Sequence, residues 1–227
     1  MADLIITIDG PAASGKSTTA RLLAQKLGAS FLDTGAMYRA VTFAAIQAGV
    51  DLHDQEELIG VLEKHKFEFS ARQDRMTARI DGNDVTEQLR DPQITANAKY
   101  IASAPKVREK LVRMQRQFAA DHKKIVTEGR DQGTVAFSDA DIKFFLTAEP
   151  GERAKRRQAE LQAKGSGESL EQIRSAIEER DKKDQSRTVG PLKPAEDAVL
   201  IDTTDLNIEE VVETLFGFVK ERCLKSG

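Results

Sequence analysis

The chain has 227 residues, 40% of them hydrophobic and 31% charged, with a formal net charge of −3. That length holds one sizeable domain with subdomains. The slightly acidic balance argues against nucleic acid or an anionic membrane as the main partner. No apolar run approaches the ~20 residues of a membrane span. The first strand begins almost at the N-terminus, leaving no room for a signal peptide. The lone cysteine, Cys223, cannot close an internal disulfide, so a reducing cytoplasm is expected. Cys223 falls on the apolar stripe of the last helix, where a small buried hydrophobe is expected.

The first element is the apolar run Leu4–Ile8, read as a strand. Directly after it come Gly10, Pro11, Ala12, Ala13, Ser14, Gly15, Lys16 and Ser17, a full match to G-x-x-x-x-G-K-[ST] in the required strand–loop–helix context. Gly10 and Gly15 let backbone N–H groups turn inward as a nest for phosphate oxygens, and the following helix adds its positive end. Lys16 is expected to reach the β- and γ-phosphates, Ser17 to ligate Mg²⁺, and Thr18 to close the nucleotide-binding set. The ligand is therefore ATP or GTP with Mg²⁺. No Asn-Lys-x-Asp guanine-reading motif follows, which disfavours a GTPase switch. Lys16 is expected to face solvent without nucleotide, so that removing it costs little stability.

A first helix should run from about Gly15 to Leu27, stopped by Gly28, with a strand at Ser30–Leu32. A second helix should begin after Asp33-Thr34-Gly35 and end at Gly49. Residues 66–85 read as a small antiparallel unit: Lys66–Ser70 and Met76–Ile80 alternate, and Asp81-Gly82 is a hairpin signal. A helix after Pro105 carries Arg108, Lys110, Arg113 and Arg116 around its circumference. Strands follow at Ile125–Val126 and Ile142–Leu146. Residues 151–188 are helical but poor in apolar residues and carry Arg153 and Arg157, with Gly165-Ser166-Gly167 as a flexible break. A helix pair that buries little is held loosely, so a lid closing over phosphates is expected. A last strand at Ala198–Ile201 leads to a helix capped by Asn207 and Glu210. Short apolar strands separated by helices indicate a parallel sheet wrapped by helices.

Phosphoryl transfer needs cations beyond the loop. Arg39, just past the second strand, lies at the carboxyl edge where open α/β sheets bind ligands, although position alone does not separate it from a surface arginine. Glu128-Gly129-Arg130-Asp131 sits at another strand's carboxyl end, where Glu128 can hold Mg²⁺ through water and Arg130 and Asp131 can enter the cleft. Arg180, Asp184 and Arg187 are spaced i, i+4, i+7 on one helical face, a pattern that an ordinary ion pair also satisfies. Of the basic residues on the helix after Pro105 only Arg108, in its first turn, is a site candidate, and by position alone a weak one. His53, His65 and His122 lack metal-ligand spacing, and no Ser-His-Asp or Cys-His set can be assembled.

The phosphate loop, Leu32-Asp33-Thr34-Gly35-Ala36-Met37-Tyr38-Arg39, Glu128–Thr134 and Arg180–Arg187 together resemble bacterial cytidylate kinases, over nearly the whole chain. The resemblance implies an α/β, P-loop NTPase three-layer fold with a central five-stranded parallel sheet, a helical lid and a small antiparallel insert. The core would be 1–35, 87–150 and 189–227, the monophosphate-binding region 36–86 with the insert at 66–85, and the lid 151–188. It implies Mg²⁺-dependent transfer from ATP to CMP or dCMP by a cytoplasmic monomer, with no nucleic-acid or membrane partner. Arg39, Arg130 and Arg187 would hold the CMP phosphate. Thr34, Arg108 and Asp131 would surround the cytosine, and Tyr38 would be a further CMP-binding residue. Arg180 and Asp184 would meet the sugar. Arg153 and Arg157 would approach the transferring phosphoryl group, making Lys16, Arg130, Arg153, Arg157 and Arg187 the catalytic set. Three positions depart from the family pattern: Lys99, six before Pro105, replaces a serine, Thr34 a serine and Glu128 an aspartate. The alternatives are a kinase of broader pyrimidine range and a non-catalytic P-loop nucleotide switch.

Overall fold

The computed structural model describes residues 2–72, 75–163, 165 and 167–224. The side chain of Cys223, read as buried, and Ser166 within the predicted break lie outside what is described. Five parallel strands form the central sheet in the order β2-β6-β1-β7-β8: β1 (Leu4–Asp9), β2 (Ser30–Asp33), β6 (Lys124–Gly129), β7 (Ile142–Thr147) and β8 (Val199–Asp202). All five predicted strands are present, each lengthened toward its carboxyl end by one to three residues. Strands covered by helices on both faces need no polar alternation, which is why β1 reads as an almost continuous apolar run.

Helices flank both faces of the sheet. On one lie α1 (Lys16–Leu27) and α8 (Ile208–Leu224), where Leu23, Val211 and Leu215 pack against Ile6, Ile8 and Phe144. On the other lie α2 (Thr34–Ala48), α3 (Gln55–Lys64), α4 (Pro92–Ser103) and α5 (Pro105–Ala120), whose Met37, Val41, Leu58, Ile101 and Leu111 cover Ile5 and Ile125. Gly28 and Gly49 end α1 and α2 as predicted. Asn207 and Glu210 exchange reciprocal bonds of 3.0 and 2.9 Å at the start of α8. The second helix starts earlier than expected, at Thr34, because the Asp33 carboxylate accepts from the Ala36 N–H at 2.7 Å and caps it.

The insert is a three-stranded antiparallel sheet of β3 (Phe67–Arg72), β4 (Arg75–Ile80) and β5 (Asn83–Asp84). Asp81 and Gly82, at φ 51° and 80°, form a two-residue turn joining β4 to the short β5, rather than joining the two longer strands. Helices α6 (Pro150–Gln162) and α7 (Leu170–Gln185) form the expected helical pair. Among the described residues, no helix is long and apolar enough to cross a membrane.

Candidate active site

Parallel register brings three carboxyl ends together. Asp9 lies beside Gly129, and Glu128 lies between Ile8 and Asp33. The phosphate loop, the start of α2 and the Arg130–Asp131 segment therefore open onto one crevice, at the place where open α/β sheets bind ligands. Gly10 has no room for a side chain, since a Cβ there would lie 2.1 Å from the Leu146 carbonyl oxygen. Ala13 takes a left-handed φ of 57°, a strained conformation that the glycine pattern alone did not flag.

Lys16 does not face solvent. It is 5% exposed and folds back on the loop, donating to the Pro11 carbonyl at 2.6 Å and to Ser14 Oγ at 3.4 Å. Burial, and next the charge of Arg130, lower its ammonium from 10.5 to about 7. The expectation of a solvent-facing lysine ignored how tightly the loop wraps its own side chain. Ser17 donates to Glu128 Oε1 at 3.0 Å. That hydroxyl and that carboxylate are hard oxygen donors on the rim of the crevice, and they fit a Mg²⁺ ion that takes its other ligands from phosphate and water.

Positive charge converges around this point. Arg130 donates to Asp184 at 2.9 Å and to the Gly129 carbonyl at 3.1 Å, while Arg187 pairs with the other oxygen of Asp184. Arg187 lies beyond the end of α7, so the helical-face spacing with Arg180 and Asp184 does not hold; the contact with Asp184 forms from the following turn. Lost hydration lowers Arg180 to about 10 and also lowers Arg187, and in both the neighbouring arginines add repulsion. Arg180 nevertheless keeps an exposed surface. Arg39 is held by Asp33 at 3.2 Å. Arg39, Arg130, Arg180 and Arg187 outnumber the Asp33 and Asp184 carboxylates among them, a local excess of positive charge suited to an anion.

Arg108, a weak candidate by position, is brought to the centre. It is 3% exposed, pairs with Asp131, and lies 5.8 Å over the Tyr38 ring. Its Nε has no hydrogen-bond partner in the structure. Burial raises the Asp131 carboxyl, opposed chiefly by the charges of Arg108 and Arg187. Thr34 is buried and donates to the Glu128 carbonyl at 2.7 Å. Lys99 is exposed, 5.0 Å over the Tyr100 ring.

The lid arginines divide. Arg157 is partly exposed and pairs with Glu160 at 2.9 Å, free of the core. Arg153 was expected on the phosphoryl group, but it is 5% exposed and its donors are committed. They go to the Ala148 carbonyl and the Ala12 carbonyl, both at 3.0 Å, and to Asp181. Asp181 in turn accepts from the Ala12 N–H at 3.0 Å. Together with Ala154, Ile173 and Ile177 packed on Ala12, this knot ties both α6 and α7 to the phosphate loop, so the pair expected to form a loosely held lid is firmly anchored at this end. Asp181→Ala is expected to lower unfolding stability by about 3–5 kcal/mol, because it strands a buried guanidinium. In chemical denaturation Arg153→Met should cost less than that, and a double variant less than the sum. Additive costs would dissolve the knot.

Sequence reasoning missed two features. One is a cleft of about 510 Å³ between the loop and the chain after β8, bordered by Ser14, Arg156, Thr204 and Asn207. Arg156 is fixed there by bonds to Thr203 Oγ1 at 3.0 Å and to the Thr203 and Thr204 carbonyls. The other is Asp9, 4% exposed, which burial pushes up to about 7 against two backbone N–H donors.

The family model described as cytidylate kinase matches residues 6–221. A cytidylate kinase of Stutzerimonas stutzeri (strain A1501) is 46% identical over 222 residues, covering 97% of this chain and 96% of that one. A cytidylate kinase of Bacillus thuringiensis (strain Al Hakam) is 44% identical over 214 residues, covering 94% and 95%. The solved structure of an uncharacterized protein from Eubacterium ventriosum ATCC 27560 superposes with a TM-score of 0.52 at 14% identity, covering 96% of this chain and 99% of that one, a likeness of fold alone. With a match spanning nearly its whole length and relatives close to half identical, the chain belongs to the cytidylate kinase family.

Proposed function

We propose that this chain transfers the γ-phosphoryl group of ATP to CMP or dCMP, giving ADP and CDP or dCDP. The observation that carries the reading is the juxtaposition of a phosphate loop with a second cationic site, Arg130 and Arg187 about Asp184, next to a buried Arg108–Asp131 pair. A switch needs only the first of these; a kinase with an anionic second substrate needs both.

The loop N–H groups hold the ATP phosphates, and Lys16 leaves the Pro11 carbonyl to meet them. The 510 Å³ cleft beside Arg156 takes the adenosine end. Ser17, with Glu128 behind it, would hold Mg²⁺, which would neutralise negative charge on the nucleotide phosphates. Arg39, Arg130 and Arg187 orient the CMP phosphate by guanidinium forks. Arg180 and Asp184 meet the sugar. Asp131 accepts from the cytosine 4-amino group, with Arg108, Tyr38 and Thr34 around it. An oxygen of the CMP phosphate attacks the γ-phosphorus as the bond to the β,γ-bridging oxygen breaks, and Arg157 is free to swing onto the transferring group. In domain terms the core is 1–35, 87–150 and 189–227, the monophosphate region 36–86 and the lid 151–188.

A coupled assay of ADP formation across nucleoside monophosphates tests this directly. CMP and dCMP should give the highest catalytic efficiency. ADP release that is indifferent to any monophosphate would fit a switch and end the kinase reading.

A further inference from the structure

The Arg130–Asp131 segment leaves β6 and enters a π-helical turn, Gln132–Ala136, whose first N–H groups have no partner within the turn. The Asp9 carboxylate, on the neighbouring strand, satisfies two of them at once. Oδ1 accepts from the Gln132 N–H at 2.9 Å and Oδ2 from the Gly133 N–H at 2.8 Å. Both bonds are buried. The turn also lies flat on the sheet, since a Cβ on Gly133 would come within 2.9 Å of Thr7 Oγ1 and 3.2 Å of the Lys143 side chain. The Gln132 side chain reaches Thr127 Oγ1 at 3.0 Å and Gln115 of α5, the helix that carries Arg108, at 3.4 Å.

From this geometry we infer that Asp9 is a positioning residue for nucleotide selection. By clamping the two N–H groups directly after Asp131, it fixes where the Asp131 carboxylate and the Arg130 guanidinium stand. Asp9 also immediately precedes Gly10, so one residue sets the spacing between the phosphate loop and the base-reading pair. Asp9 itself touches no substrate and acts through the backbone of the turn. The inference rests on the reading of Asp131 as the group that faces cytosine.

The carboxylate is needed because it offers two acceptors. Asp9→Asn keeps the size but turns an NH₂ toward one of the two N–H groups, and two donors then face each other in a dry site. The turn must shift, and Asp131 shifts with it. The expected result is a CMP KM raised at least about fivefold, an ATP KM changed less than about twofold, and a CMP-to-UMP efficiency ratio reduced at least about fivefold. If Asp9→Asn does not fold, Asp9→Ser, which keeps one acceptor, serves for the same three measurements. The ratio is independent of the fraction folded, so a purely structural role would leave it unchanged while lowering the melting temperature, and that outcome overturns the inference. An ATP KM that rises more than the CMP KM overturns it too. The double variant Asp9→Asn/Asp131→Asn should discriminate no worse than Asp131→Asn alone, because both act through one carboxylate; additive losses count against the inference. Wild-type protein that does not discriminate at all sinks the underlying reading of Asp131 instead, so the two failures are separable.

Discussion

Lys16→Met should abolish turnover and make the empty protein more stable. The kinetic half follows from where charge moves during transfer: a cation that meets the β- and γ-phosphates is worth most when negative charge shifts between them, and losing such a group typically costs about 100- to 1,000-fold. The stability half follows from burial. Lys16 is 5% exposed, and its ammonium is held at about 7 instead of 10.5, so the folded chain binds this proton far less well than the unfolded chain does. A lowered lysine value is a penalty on folding, fully present below about pH 7 and fading as pH rises toward 10.5, since only there does the unfolded side chain also lose its proton. Methionine fills a similar volume without the charge. The two hydrogen bonds lost, to Pro11 and Ser14, offset part of the gain at roughly 1 kcal/mol each. The net should be on the order of 1–2 kcal/mol, a few degrees in melting temperature for a chain of this size, and larger at pH 6.5 than at pH 9.5. Thermal denaturation of both proteins at the two pH values decides it; a variant that melts below wild type at pH 6.5, or a gain that grows with pH, contradicts the account. Single-turnover kinetics at saturating ATP check the other half.

The second large effect is in base choice. Wild type should prefer CMP to UMP by at least about tenfold to a hundredfold in catalytic efficiency. Asp131 is buried and bonded to Arg108, so its carboxylate is held in one orientation, and under the proposed function it accepts from the 4-amino group of cytosine. Uracil offers a carbonyl oxygen there. Two acceptors facing each other in a dehydrated pocket lose a charged hydrogen bond and repel, which should cost on the order of 2–5 kcal/mol. Lys99, which departs from the family's serine, is exposed and lies over the Tyr100 ring, so it brings no charge to the buried Asp131. dCMP should remain a good substrate, because it keeps the 3′-hydroxyl that the proposed function assigns to Arg180 and Asp184. Asp131→Asn should narrow the gap, mainly through CMP. The variant also leaves Arg108 without its ionised partner, so a lower stability is expected alongside. The ratio of efficiencies is therefore the quantity to read, since incomplete folding scales both substrates alike. Equal use of CMP and UMP by wild type would remove Asp131 from base reading and favour a broader pyrimidine kinase.

Sequence legibility followed the range of the interactions. The phosphate loop, the five strands and the glycine helix stops were readable because each is decided by a few consecutive residues. The helices α3 and α4 have local signals as well, Asp54 before α3 and Asp91-Pro92 before α4, and both aspartates cap by side-chain oxygen in the structure. What position along the chain could not supply was partnership. Arg108 and Arg153 look alike as charged residues near helix starts, yet one is paired with Asp131, 23 residues away, and the other is bound to Ala12, 141 residues away. Asp9 follows a strand like many surface aspartates, and only the β1–β6 register places it under the π-helical turn. The burial of Lys16 was not legible, because it comes from the loop closing on itself.

The knot of Arg153, Asp181 and Ala12 makes α6 a lever with a known fulcrum. Arg153 stands three residues from the start of that helix, and Gln162, its last residue, stands nine residues farther on. At 1.5 Å per residue the arm is about 13 Å long, with Arg157 about 6 Å along it. A tilt of roughly 20° about the knot would carry the far end through about 5 Å but Arg157 through only about 2 Å. Any tilt of α6 about this knot is thus geared: a wide sweep at its far end becomes a short displacement of the Arg157 guanidinium.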